Sequence, residues 1–194
     1  MKNESTLRPS RPVLMYTIYV VMFGTAWGLG ASVLAGTLPP DPITRSIVIT
    51  WYEVIIFIFA KLVLLRPFVV TQTMLMSTVI SIFTFSFGPP NPFKPMIALA
   101  GLAFDAGTRF RTSNITRVDM VIGLVLYIIV AYAMFALMFF LIDRATFEVI
   151  LPFIPIAAGI YLVQGLIAIF VIYRIVPPKN PPHFVHIIRD QIGL

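Results

Sequence analysis

The sequence contains no cysteine and few charged residues. Without cysteine, the 194-residue chain can form neither a disulfide nor a thiolate-based catalytic or metal site. Asp, Glu, Lys and Arg make up 11% of the chain, whereas soluble domains carry about 25%. Such a chain has too few polar side chains to cover a water-soluble domain. Its hydrophobic fraction of 59% also excludes disorder.

Histidine is scarce as well, and both histidines, His183 and His186, lie near the C-terminus. Two histidines alone make a poor metal site. The sequence lacks the HExxH, Walker A and GxSxG motifs. These absences argue against a metalloprotease, an ATPase subunit or a cytochrome. We predict a protein that is not an enzyme, with no catalytic residue, metal or cofactor.

Long apolar runs dominate the remaining sequence, whose mean hydropathy is +0.95. A helix needs about 20 apolar residues to cross a bilayer. We therefore predict an all-α membrane helix bundle in the cell membrane, with a cytoplasmic segment 1–12, a membrane domain 13–176 and a cytoplasmic tail 177–194. The predicted spans are 13–36, 43–65, 68–87, 95–110, 118–142 and 147–176, separated by proline-rich or charged segments.

The distribution of Lys and Arg predicts the orientation of these spans. With both termini cytoplasmic, the inner side holds eleven of the 14 basic residues and the outer side holds Arg45, Lys94 and Arg144. We therefore predict an N-in, C-in topology with six spans. A cleaved signal peptide is the alternative for the first 36 residues, but the apolar run is longer than the signal core of about 7–15 residues.

Small residues recur along the first predicted span. Four-residue spacing places small side chains on one helical stripe, which lets another helix approach closely. The stripe indicates either packing inside this protein's own bundle or docking of a partner membrane subunit. The candidate docking residues are Gly24, Gly28, Ala31, Ser32 and Ala35.

Two acidic residues, Glu53 and Asp105, lie well inside predicted spans. Glu53, two residues after Trp51, lies near the middle of span two, where a carboxylate is costly unless it faces a cavity, a partner or water. It is a candidate for ligand or proton contact, or for an interhelical hydrogen bond. We expect Lys61 to extend to the inner membrane edge. Asp105 lies four residues before Arg109, which predicts an ion pair within one helix, and contact with a cytoplasmic partner is the alternative.

The segment 88–95 contains four prolines on the predicted outer side. Irregular backbone at a membrane is tolerated where it lines protein or water, so this segment is a candidate binding site. Asn91 and Lys94 would contact a polar or anionic group of a ligand, and Phe93 would stack on the ligand. A rigid external turn is the alternative. Polar residues within spans, which would line the same cavity or make bundle hydrogen bonds, are Tyr127, Tyr132 and Gln164.

The tail carries an apolar pattern typical of a short helix at the membrane surface. The residues predicted to share one face of this helix are Phe184, Ile187, Ile188 and Gln191.

Taken together, this architecture resembles the substrate-binding S component of an energy-coupling factor (ECF) transporter. The similar features are the chain length, the six spans with both termini inside and the small-residue stripe of span one. The outer segment Gly88-Pro-Pro-Asn-Pro-Phe-Lys-Pro95 also precedes a short glycine-containing helix that ends near Phe104-Asp105. As in that family, there is no nucleotide-binding motif.

The resemblance implies a non-catalytic subunit that takes up a small vitamin-like metabolite. Its loops 37–45, 88–94 and 143–148 would close over the ligand, and the protein would then topple in the bilayer. Its partners would be a transmembrane coupling subunit and cytoplasmic ATPases. The residues expected to contact the ligand are Trp51, Glu53, Asn91, Phe93, Lys94 and Gln164.

Two other functions remain open. One is a structural subunit of a larger membrane complex, in which the stripe would bind neighbours. The other is a membrane enzyme acting on lipid, with Glu53 or Asp105 as base.

Overall fold

A computed structural model describes residues 10–38, 42–83 and 97–194. These residues form α-helices, and no strand occurs among them. The helices are α1 Arg11–Thr37, α2 Pro42–Leu64, α3 Val69–Phe83, α4 Ile97–Gly107, α5 Arg117–Ile142, α6 Arg144–Ile150, α7 Ile154–Ile175 and α8 His183–Gln191, with a 3-10 turn, Leu151–Phe153, between α6 and α7.

Local chemistry fixes several helix ends. At the start of α5, the Thr116 hydroxyl accepts a hydrogen bond from the Asp119 N–H, and the Asp119 carboxylate accepts one from the Thr116 N–H. This reciprocal pair satisfies two backbone donors that the first turn would leave free. Asp143 caps α6 in a similar way by accepting a hydrogen bond from the Thr146 N–H. Pro152 then interrupts the helix, because proline lacks the N–H that an inner turn requires.

The described residues confirm the all-helical class. Four helical stretches are long and apolar enough to cross a membrane, and the count of six spans stays a prediction. Among the described residues, α3 and α4 are shorter, with 15 and 11 residues. At 1.5 Å per residue they extend about 22 and 16 Å, less than the ~30 Å hydrocarbon core. The predicted spans 68–87 and 95–110 continue into residues outside the described part. The four long stretches are Arg11–Leu34, Ile47–Leu64, Arg117–Ile142 and Arg144–Ile175.

Contacts between helix ends show that the helices alternate in direction. Lys61, near the end of α2, contacts Asp105, near the end of α4, and Asp105 contacts Thr71, near the start of α3. Near the end of α7, the Tyr173 hydroxyl donates to the Ile115 carbonyl just before α5.

The first and last helices meet at that same end of the bundle. Tyr16 of α1 hydrogen-bonds to Gln72 of α3, and Tyr19 of α1 donates to Gln191 of α8. We call this the basic end. It carries nine of the eleven arginines and lysines in the described ranges, namely Arg11, Lys61, Arg66, Arg109, Arg111, Arg117, Arg174, Lys179 and Arg189.

The core is densest around Phe57 of α2, which is fully buried. Its ring centroid lies 5.1 Å from those of Phe104 and Tyr127 and 6.3 Å from that of Trp27. The core therefore joins α1, α2, α4 and α5. Further from the basic end the packing is looser, since no residue from 129 to 160 is buried.

Helix α8 forms where the sequence predicts it, but another face packs inward. Val185 and Ile192 are fully buried, whereas Phe184 and Ile187 are exposed. The opposite face holds α8 on the bundle, because Arg189 lies on it and hydrogen-bonds to the end of α2. Contact of the predicted apolar face with a membrane surface stays a prediction.

Candidate functional site

Three tyrosines, Tyr127 and Tyr132 of α5 and Tyr161 of α7, lie together in the middle of the bundle. Glu53 of α2 lies close to them, and Gln164 lies one turn after Tyr161 on the same face of α7. We call these five residues the tyrosine cluster. The ring centroid of Tyr161 lies 5.4 Å from that of Tyr127 and 6.5 Å from that of Tyr132. Tyr127, Tyr161 and Gln164 are buried, while Glu53 and Tyr132 are partly exposed.

Glu53 belongs to this cluster because of its place on α2. It lies one helical turn before Phe57, whose ring contacts Tyr127. The Glu53 carboxyl group acts electrostatically on the hydroxyls of Tyr127, Tyr132 and Tyr161. A carboxylate and three phenols therefore share one environment, which can recognise both a polar group and a flat apolar surface of a ligand.

The side chain of Gln164 makes only part of its possible hydrogen bonds within the described chain. Its Nε2 donates to the Ile47 carbonyl at 3.1 Å, but its Oε1 is buried and has no hydrogen-bond partner among the described residues. The Tyr161 hydroxyl lies beside that of Tyr127 but likewise makes no hydrogen bond of good geometry there. Leaving a buried polar group unpaired costs about 1–3 kcal/mol. Such a group is typical of a place where a ligand or water completes the bonding.

Three members of the cluster lie at one level along the helices. Glu53, Tyr127 and Gln164 are ten or eleven residues from the basic ends of their helices. At 1.5 Å per residue this places them about 15–17 Å from that end, or about half the thickness of a ~30 Å hydrocarbon core.

A second polar cluster closes the basic end. The Lys61 ammonium lies 2.9 Å from the Asp105 carboxylate, and both side chains are 0% exposed. Asp105 also accepts hydrogen bonds from the Thr71 N–H at 2.9 Å and hydroxyl at 2.8 Å, and Lys61 donates to the Arg66 carbonyl at 3.1 Å. One buried ion pair thus joins α2, α3 and α4.

This pair corrects two predictions from the sequence. Asp105 binds Lys61 instead of Arg109, because α4 ends at Gly107 and Arg109 has a positive φ of 54° outside the helix. Lys61 does not extend to the membrane edge, because its ammonium finds a carboxylate and a carbonyl inside the bundle.

Arg189 of α8 completes the basic end. It donates to the carbonyls of Leu62 and Val63 at the end of α2, at 2.8 and 3.3 Å, and to that of Pro178 at 3.0 Å. Burial lowers the pKa of Arg189 from its ordinary value. The guanidinium therefore satisfies α2 carbonyls that have no partner within the helix.

The structure brings only part of the predicted ligand site together. Glu53 and Gln164 lie in the tyrosine cluster. Trp51 is half-buried and packs against the hydrophobic core. Asn91, Phe93 and Lys94 lie outside the described residues.

Sequence reasoning also missed Tyr161. It lies three residues before Gln164, so both share one face of α7. That spacing of two polar residues in an apolar helix is the signal that could have identified it.

The small-residue stripe packs against this chain's own α3 at two of its positions. A Cβ on Gly24 would lie 2.5 Å from the Met76 Cβ, and one on Gly28 would lie 3.0 Å from the Ser77 carbonyl oxygen. Ala31 is half-buried against the core, and the Ser32 hydroxyl donates to the Gly28 carbonyl at 2.8 Å. The side chain of Ala35 lies outside the described part. Docking of a partner by this stripe stays a prediction.

Across 10–38, 42–83 and 97–194, no three His, Asp or Glu side chains are grouped so as to hold a metal. No protein-family model, curated protein or solved structure was found to match this chain.

Proposed function

We propose that the chain is a multi-pass membrane protein of the cell membrane with its basic end in the cytoplasm. The density of Lys and Arg at that end supports this orientation. Helix α3 begins at the basic end and α4 ends there. The chain therefore returns to the same side after this pair, and the direction of the other helices is the same whether or not α3 and α4 cross the membrane completely. In the proposed topology they do cross, which gives six spans with both termini inside.

We further propose that it is the substrate-binding subunit of an ECF-type transporter and takes up a small vitamin-like metabolite. One observation carries this proposal: the buried Gln164 Oε1 has no partner among the described residues, yet it lies in a cluster of three tyrosines and a carboxylate at mid-membrane depth. Intramembrane ionisable and polar groups of this kind typically mark a binding site or pathway.

The chemistry of the cluster indicates the kind of ligand. A donor group of the ligand would bind to Gln164 Oε1, and a flat apolar part would lie against the tyrosine rings. Asn91, Phe93 and Lys94 would close the site from the outer side, with Trp51 nearby. A transmembrane coupling subunit and cytoplasmic ATPases would supply the energy, since the sequence has no nucleotide-binding motif.

Gentle purification followed by mass spectrometry of bound small molecules tests this function. We expect wild type to retain a metabolite and Gln164→Leu to lose it while remaining folded, because the change removes an unpaired buried oxygen. Gln72→Leu makes the same chemical change at the basic end and should retain the metabolite. Equal retention by both variants would exclude the cluster as the binding site.

A structural subunit of a larger membrane complex is the second candidate. No residue from 129 to 160 is buried, so this part of the chain would be the surface that a neighbouring subunit covers in place of lipid. The same purification distinguishes the two functions. A structural subunit would bring stoichiometric protein partners and no small molecule.

A further inference from the structure

Two exposed arginines, Arg117 at the start of α5 and Arg174 near the end of α7, lie at the basic end, on a surface separate from both polar clusters. The Arg117 guanidinium lies over the Phe170 ring at 5.4 Å and over the Tyr173 ring at 5.1 Å, measured to the ring centroids. Arg174 is four residues after Phe170, so both lie on the same face of α7. We call the surface formed by Arg117, Phe170, Tyr173 and Arg174 the arginine face.

The described chain provides no carboxylate for these two arginines. Neither takes part in any of the ion pairs within the described residues, and both are exposed. The nearest acidic residue in the α5 sequence, Asp119, is already engaged. Its carboxylate lies 2.8 Å from Arg111 and accepts hydrogen bonds from the Thr116 N–H and hydroxyl.

An apolar wall continues from the arginine face away from the basic end. Phe170 is 54% exposed, and exposed residues near it on α7 and near Arg117 on α5 are aliphatic. A wall of this kind suits acyl chains, whereas a free anion in water would gain nothing from it. The exposed aliphatic residues of the wall are Val118, Ile122, Ile167 and Val171.

We propose that the arginine face binds the headgroup of an anionic phospholipid, whose phosphate lies between Arg117 and Arg174 while its acyl chains lie along α5 and α7. Arginine suits this role, because its planar fork can donate two hydrogen bonds to one phosphate. The aromatic rings hold the Arg117 guanidinium on the surface of the bundle, so less side-chain entropy is lost on binding. The inference rests on the membrane placement of the chain, but not on the tyrosine cluster binding a ligand.

Native mass spectrometry of the detergent-purified protein with added lipid tests the proposal. The probes are phosphatidylglycerol, phosphatidylcholine with the same acyl chains, and glycerol phosphate, which lacks the chains. We expect wild type to prefer phosphatidylglycerol over phosphatidylcholine. Arg117→Gln and Arg174→Gln should each weaken phosphatidylglycerol binding about fivefold, because a basic residue near an anionic lipid surface contributes about that factor.

Lys179→Gln is the matched control. It removes one positive charge from the exposed connection between α7 and α8 at the same end, and we expect it to change the affinity little. If Lys179→Gln weakened phosphatidylglycerol binding as much as the two arginine variants, the effect would come from the overall charge of the basic end, and the proposed site would be overturned. Equal binding of glycerol phosphate would also overturn it, because the acyl chains would then have no part.

Arg174→Gln keeps the test valid if Arg117→Gln fails to fold, since the exposed Arg174 makes no ion pair within the described chain. If wild type retains a metabolite but shows no preference for phosphatidylglycerol, only this inference fails. If wild type prefers phosphatidylglycerol but retains no metabolite, only the transporter assignment fails.

Discussion

Asp105→Asn tests the buried ion pair that joins α2, α3 and α4. The substitution keeps the shape of the side chain and an oxygen for the Thr71 hydrogen bonds, but it leaves the Lys61 ammonium buried without a counter-charge. Both side chains of the pair are 0% exposed, so water cannot compensate. Removing one member of a buried pair costs about 3–5 kcal/mol.

The expected loss is large enough to measure by thermal unfolding in detergent. For a chain of this size, 1 kcal/mol lowers Tm by about 2–4 °C, so we expect a decrease of about 6–20 °C. The double variant Lys61→Met with Asp105→Asn should recover most of this loss, because neither buried charge remains. The two substitutions are therefore expected to be strongly non-additive.

A second ion pair in the chain provides the control. Arg144 and Glu148 lie 3.6 Å apart, but their side chains are 76% and 69% exposed. Glu148→Gln should therefore leave Tm almost unchanged, because exposed pairs contribute little. The reasoning would be refuted if Asp105→Asn melted like wild type, or if the double variant lost as much stability as the two single variants together.

Three further predictions concern packing, pH and the tail. Gly24→Ala should lower the free energy of unfolding by about 1–3 kcal/mol, because the new methyl group would lie 2.5 Å from a side-chain carbon of α3. Thermal unfolding measures this, and Gly159→Ala, whose methyl group would meet nothing within 4 Å, should be neutral or slightly stabilising. Hydrogen bonds from the Thr146 hydroxyl and N–H lower the pKa of Asp143, so its capping of α6 is present above the ordinary pKa of about 3.9 and is lost as pH falls below it. The protection factors of residues 144–150 against hydrogen exchange should then decrease in acid, and Asp143→Ala should remove that pH dependence; protection factors that do not change with pH in wild type would contradict the prediction. Arg189→Gln should release α8 and expose the tail to limited proteolysis, whereas an unchanged digestion pattern would mean that apolar packing alone holds α8.

The helices that could be predicted from the sequence are those bounded by strong local signals. The predicted spans 13–36, 43–65 and 118–142 differ from α1, α2 and α5 by at most two residues at either end. Long apolar runs between prolines and charged residues define these helices without help from the rest of the fold. The last predicted span, 147–176, is instead divided into α6, a 3-10 turn and α7, because Pro152 breaks it and Asp143 starts α6 earlier.

The polar contacts could not be predicted in the same way. Lys61 and Asp105 are 44 positions apart, and only the packing of α2 against α3 and α4 brings them together. Local spacing favours Arg109 as the partner, but that choice requires α4 to continue past Gly107. Polar residues within spans do identify three members of the tyrosine cluster besides Glu53, since Tyr127, Tyr132 and Gln164 are conspicuous in apolar helices.

The small-residue stripe shows a related ambiguity. Its spacing correctly indicates a close helix contact, but spacing alone does not distinguish α3 of the same chain from another subunit. Gly28→Leu is therefore not a clean test of partner docking. Its Cβ would lie 3.0 Å from the Ser77 carbonyl, so the change would disturb the chain's own packing first.

The topology of the bundle is the central claim, and the lack of native cysteine makes it directly measurable. Single cysteines would replace Ser113 and Asn180, which are exposed at the basic end, and Ala145, which is exposed in α6. Intact cells would then be treated with a membrane-impermeant maleimide. We predict labelling at position 145 and protection at 113 and 180, all three becoming reactive after lysis. Labelling of 145 and 113 from the same side would contradict the account.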